Sequence, residues 1–174
     1  MTSRSRDPDR LPDRERPVGR IGRPVPPESE PSSPAGRQLV LASWAGTAVL
    51  ATTVGVGLLA LDTVAPGVVA VSAAMFLAGS VAFFLAYARA VARSRHELIG
   101  IGGLYFMAGS APRSVRRSMM ASLWAEVALV VVAVALKPFS SLVFTSLAPV
   151  YALGLAGMWT SRHGVFPRKA GPGV

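Results

Sequence analysis

The sequence predicts an all-α integral membrane protein, a four-helix bundle of two hairpins behind a disordered N-terminal arm. Three observations carry that prediction. Hydrophobic residues make up 51% of the 174-residue chain and charged residues 16%, a balance suited to a bilayer rather than to a water-soluble core. Four apolar runs are long enough to cross a membrane. Basic residues also alternate between connections. The arm, central loop and tail hold 8, 6 and 3 of them, and the two remaining turns hold 0 and 1. Loops rich in Lys and Arg stay inside, so both termini and the central loop are expected to be cytoplasmic.

Residues 1–37 form the arm. Eight of the 14 prolines lie here with eight arginines and six acids, leaving few apolar side chains to offset the entropy of ordering. Pro24–Pro27 and Pro31–Pro34 are expected to be part of a solvated tail, the alternative being polyproline II contacts with a partner. The polar stretch ahead of the first apolar run is too long for a cleavable leader.

Residues 38–161 form the four-helix domain. The first span is expected over 39–61, where 23 residues rise about 34 Å, enough to cross with some tilt. Asp62–Gly67 reads as a short turn and 67–88 as the second span, its helix running on to Arg95. The basic loop 89–117 carries Arg89, Arg93, Arg95, Arg113, Arg116 and Arg117 against a single acid, Glu97. Within it, Leu98–Ala108 is apolar but too short to span, and Gly100, Gly102 and Gly103 weaken a helix. It is expected at the cytoplasmic interface or folded back on the bundle.

Ser110 reads as a helix cap ahead of Pro112. The third span follows over 119–136 and ends at Lys137-Pro138. The fourth covers 139–159 with Pro149 inside, and 162–174 is a short basic tail. Trp44, Trp124 and Trp159 fall toward the same side, as an interface belt requires.

Few residues invite chemistry. Glu126 is the one acid within a predicted span, where an ionisable group costs roughly 2.5–3.5 kcal/mol to insert and marks a functional hypothesis. Ser118, Ser122 and Glu126 are spaced four apart and form one polar stripe, expected to face the bundle. Its candidate partners are Thr47, Thr52, Thr53, Ser80, Thr145 and Tyr151. Such a glutamate serves either as hydrogen-bonding glue between helices or as an ion relay. A relay usually brings further acids or histidines, and the spans contain none. Gly55, Gly57, Gly79, Gly154 and Gly157 allow helices to approach closely.

Arg113, Arg116 and Arg117 share a face in the first turns of the third helix. Positive charge there opposes the helix dipole, so the three residues are either an ordinary cytoplasmic basic cluster or a site for a compensating anion such as a lipid phosphate head group. The net charge of +9 flanks apolar runs, so anionic lipids are the expected partners rather than nucleic acid. His96, Glu97 and His163 are too few to predict a metal site, and no metal or cofactor is expected. The chain has no cysteine and no HExxH, G-x-S-x-G or phosphate-loop motif, so no catalytic residue is assigned.

The stretches Glu97–Pro112, Leu147–Gly157 and Trp159–Arg168, about a quarter of the chain, resemble an uncharacterised family of small four-span membrane proteins of high-GC actinobacteria. The resemblance implies a bacterial inner membrane and no activity. The dominance of arginine over lysine, 16 to 2, fits a GC-rich coding genome. The sequence thus predicts a non-catalytic accessory or scaffold subunit with a protein partner. The alternative is a small transporter or channel using Glu126.

Overall fold

A computed structural model of the chain describes residues 33–95 and 97–167, with Leu61 described by its backbone alone. The expected disorder of residues 1–32, the basic residues Arg168 and Lys169, and His96 lie outside the described residues. Among the described residues the fold is all-α.

Helical backbone begins at Pro34 and continues to Arg93, broken once at Ala60, whose φ of −140° and ψ of 42° are not helical. The break divides two helices of membrane-crossing length, α1 (Pro34–Ala60) and α2 (Asp62–Arg93). They fold back on one another: Gly57 abuts Val68, and Leu50, Val54, Val68 and Met75 share one apolar cluster. The expected turn over Asp62–Gly67 is therefore helical. Pro66 interrupts little, because the bond it forfeits is to the Asp62 carbonyl at the exposed end of α2. Asp62 also places negative charge at that helix N-terminus, where it is favoured.

The arm boundary moves as well. Ser33 caps α1 by accepting from the Gly36 N–H at 3.2 Å, so residues 34–37 belong to the helix. At the other end of the hairpin Ser94 closes α2 after Arg93, two residues before the expected end.

The segment after α2 folds back on the bundle. Its short helix α3 (Ile101–Tyr105) buries Leu104 and Tyr105. The Tyr105 ring stacks on Phe83 of α2 at 4.2 Å between centroids, and its hydroxyl donates to the Phe83 carbonyl at 3.1 Å. Burial first, and then neighbouring Tyr87, push this phenol above its usual pKa, which keeps it a neutral donor. Met107 follows with φ of 54° and is fully buried. Gly109 has φ of 74°, a left-handed turn that favours glycine. Ser110 does not cap the next helix. Its hydroxyl donates instead to the Gly103 carbonyl at 2.7 Å, which locks this loop to itself.

Helix α4 (Arg113–Leu136) starts after Pro112, with no side-chain cap, and stops at Lys137 as Pro138 requires. The fourth membrane-length element, Ser141–His163, is not one α-helix. A 3₁₀ segment (Ser141–Leu147) leads into α5 (Pro149–His163), and Pro149 opens α5 rather than kinking it. Proline suits the first helical position, where its missing N–H has no intrahelical role.

Helix α5 is wedged against the α1–α2 hairpin. Gly79 and Gly154 make the α2–α5 crossing, Gly46 accepts the Tyr151 ring, and Gly157 lies under Tyr105 and Ala86. Gly55, expected to serve such a contact, faces open space. Trp159 also departs from expectation: it is 4% exposed and packed in the core, while Trp44 and Trp124 remain exposed.

Candidate functional site

The polar stripe of α4 meets α1 along its whole length. At its start, Trp44 donates from Nε1 to the Ser118 hydroxyl at 3.0 Å. One turn on, Ser122 lies 2.8 Å from both the Ser43 and the Thr47 hydroxyls. A further turn on, the Thr47 hydroxyl donates to Glu126 Oε1 at 3.3 Å. Ser43, Ser122 and Glu126 are completely buried. Each hydroxyl has one proton to give. One assignment runs Ser43 to Ser122 to Thr47 to Glu126, so that three hydroxyls in series end on the carboxyl group; in the other, Thr47 gives its proton to the Ser43 carbonyl at 3.2 Å.

Of the candidate partners, Thr47 alone bonds to Glu126 among the described side chains. Thr52 and Thr53 donate to the Ala48 and Val49 carbonyls of their own helix, and Thr145 donates to Leu142. The Tyr151 hydroxyl donates to the Ala42 carbonyl at 3.3 Å, tying α5 to α1 beside the stripe. The backbone N–H of Ala152 lies beside the Glu126 carboxyl. That amide is in the first turn of α5, whose partial positive charge a carboxylate complements. Glu126 Oε2 remains without a hydrogen-bond partner among the described residues.

The second feature is an end of the bundle rich in basic side chains. Arg37, Arg89, Arg93, Arg95, Arg113, Arg116, Arg117 and Arg162 all come from the helix ends that gather there. Three hydrogen bonds show that these ends are neighbours: Ser33 with His163, Arg93 with Ser161, and Val165 with Ser110.

Arg89, Arg93 and Arg95, expected together in one basic loop, have separate surroundings in the structure. Arg95 is exposed. Arg89 reaches the Met158 sulfur. Arg93 donates to the Ser161 and Gly164 carbonyls at 3.0 and 3.2 Å, pairs with Glu97 at 2.9 Å and lies 5.5 Å over the Phe166 ring. The Leu98 N–H donates to the Pro167 carbonyl, completing this clasp between the central loop and the C-terminal segment. No spacing in the sequence marks Arg93 for that task, because its acceptors are mainly backbone carbonyls about 70 residues away.

Arg113, Arg116 and Arg117 stay exposed. With Phe106, Met120 and Trp124 they line an open groove of about 470 Å³. Among the described residues no carboxylate pairs with them. His163 is held by Ser33 and the Trp159 carbonyl, and no group of metal-ligating side chains gathers among the described residues.

Fold and site together define an all-α bundle with four helical elements long and apolar enough to cross a membrane, a buried polar seam and one arginine-rich end. Compared with known proteins, the chain matches no family model, no curated protein and no solved structure.

Proposed function

We propose that the chain is a non-catalytic accessory or scaffold subunit of the bacterial inner membrane, acting through protein and lipid contacts. In this reading the four apolar helices span the bilayer, and the arginine-rich end, with both termini, faces the cytoplasm. The single observation that supports it best is the way Glu126 is held. The one acid of the spans is fully buried, bonded to Thr47 across a helix interface and set beside the first turn of α5. Those are the contacts of a group that joins three helices.

Crosslinking in native membranes, followed by purification, is the test. The reading expects one protein partner in constant ratio, crosslinked through the arginine-rich end and lost when that end is altered. Recovery of the chain alone, with intact function in its host, would count against it.

One observation favours a second reading as a small transporter or channel. The hydroxyl series ends on a carboxyl whose Oε2 has no partner, which is an arrangement that can pass a proton. Vesicles containing the pure protein separate the two. A proton or cation flux that Glu126→Gln abolishes would replace the scaffold reading with transport.

A further inference from the structure

We propose that the groove at the start of α4 binds the phosphate-bearing head group of an anionic lipid. The phosphate sits against Arg113, Arg116 and Arg117, and the first methylenes of the chain run along Met120 and Trp124. This rests on the reading above that the bundle is embedded in a membrane.

Three independent features lead there. The first is uncompensated charge. Three guanidinium groups stand in the first two turns of α4, where the helix end is itself partly positive. Pro112 offers no capping side chain, no acid lies in the first turn, and no described carboxylate pairs with the three arginines. Arg93 at the same end is fully engaged, so these three are not part of the clasp that holds the loop. Guanidinium groups bind phosphate through paired, charge-assisted hydrogen bonds, and several converging on one groove suit an anion with several oxygens.

The second feature is shape. The groove, about 470 Å³, falls in the size range of small-ligand sites. The third is polarity. Along α4 its lining changes from arginine to Met120 and Trp124 toward the apolar part of the helix, and Phe106, from the loop ahead of α4, adds a further ring. Trp124 is 65% exposed and Phe106 47%, so both offer apolar surface that nothing in the bundle covers. A free phosphate would use the basic half alone. An amphiphile uses both, and a lipid enters sideways from the bilayer with its head group already at this depth. The aromatic and thioether wall therefore favours a lipid over soluble phosphate.

The test uses the full chain reconstituted in nanodiscs and read by native mass spectrometry. Phosphatidylglycerol and phosphatidylcholine are offered in equal amounts, with and without millimolar inorganic phosphate. The wild type should retain phosphatidylglycerol at least about tenfold over phosphatidylcholine, and inorganic phosphate should not displace it. Replacing all three arginines with glutamine should abolish the preference, while labelling of single cysteines verifies unchanged topology. Should that variant misfold, Arg116→Gln alone is expected to weaken the preference several-fold, and Met120→Ala should shorten lipid retention without altering charge.

An unchanged preference in a folded arginine variant overturns the proposal. Displacement by inorganic phosphate assigns the site to the free anion and also overturns it. Carbonate extraction releasing the wild type from membranes would fail the membrane reading itself, a result distinct from either.

Discussion

Gly79 of α2 and Gly154 of α5 bring two helix backbones into direct contact, with no room for a methyl group on either. A Cβ at Gly79 would stand 2.5 Å from the Tyr151 backbone, and one at Gly154 would meet the Gly79 carbonyl. Backbone cannot swing aside as a flexible side chain does, so a substitution must push the helices apart. The crossing carries much of the fold, because Tyr151 beside it also packs on Gly46 and bonds to Ala42.

Alanine at Gly79 or Gly154 is therefore expected to lower stability by about 1–3 kcal/mol, the usual cost of overpacking. Alanine at Gly55, where no atom lies within 4 Å, is expected to be harmless. Thermal unfolding of the detergent-solubilised variants, followed by size-exclusion chromatography, checks both. Equal melting of all three would mean that the crossing is looser than described.

Glu126→Gln should keep the fold, because the amide still accepts from Thr47. Glu126→Leu should loosen the α1–α4 seam. Interhelical hydrogen bonds of this type average about 0.6 kcal/mol, so the loss should be modest. A double-mutant cycle with Thr47→Val measures the pair itself. A coupling indistinguishable from zero would show that the 3.3 Å contact contributes nothing to stability.

Removing residues 1–32 should leave expression and stability unchanged. Extending the deletion through residue 37 should not be neutral, since it removes the Ser33 cap and the Ser33–His163 contact at 2.9 Å. Loss of a cap costs about 1 kcal/mol. Comparing the melting of the two truncations is decisive, and equal stability would exclude a role for the cap.

Single cysteines at Thr63 and Ser114 are exposed at opposite ends of the bundle. A membrane-impermeant thiol reagent should label them from opposite sides of inverted and right-side-out vesicles. Labelling from one side would be incompatible with four spans and a cytoplasmic arginine-rich end.

Replacing Arg93 with methionine keeps a long side chain but removes its donors to Ser161 and Gly164. The C-terminal segment should then become sensitive to limited proteolysis, while Arg95→Met, on an exposed side chain, should not change the pattern. Equal protection of both variants would show that the clasp holds without Arg93.

The spans were legible because long apolar runs and Pro138 act locally. The polar stripe was legible for the same reason: Ser118, Ser122 and Glu126 share a face by spacing alone, and Thr47 is one of the few hydroxyls in the other spans that could meet them. What it could not show was which candidate is near. Thr52 and Thr53 have the same chemistry as Thr47, and their rotation on α1 decides against them. Local signals also misled. Pro66 and Gly67 look like a turn, yet both sit early enough in α2 to be tolerated, and Ala60 carries the reversal without any turn signature. Ser110 looks like a cap until Gly103 claims its proton. Pro149 looks like an interior kink, but the preceding seven residues take the 3₁₀ form and leave it at a helix start. Trp159 looks like an interface anchor until α5 is placed within the bundle.

The clasp also sets an order of events during synthesis. Tyr105, Ser110 and Leu98 find Gly157, Val165 and Pro167 only after about fifty or more further residues have been added, which takes roughly 3–10 s or longer at ordinary translation rates. Through that interval the central loop has its anchor on α2 but not on α5. Leu104 and Met107, buried in the finished bundle, are then without part of their cover. A chain truncated after Leu136 should therefore be far more open to proteases at this loop than the full chain. Docking of the last helix completes the cover of the central loop.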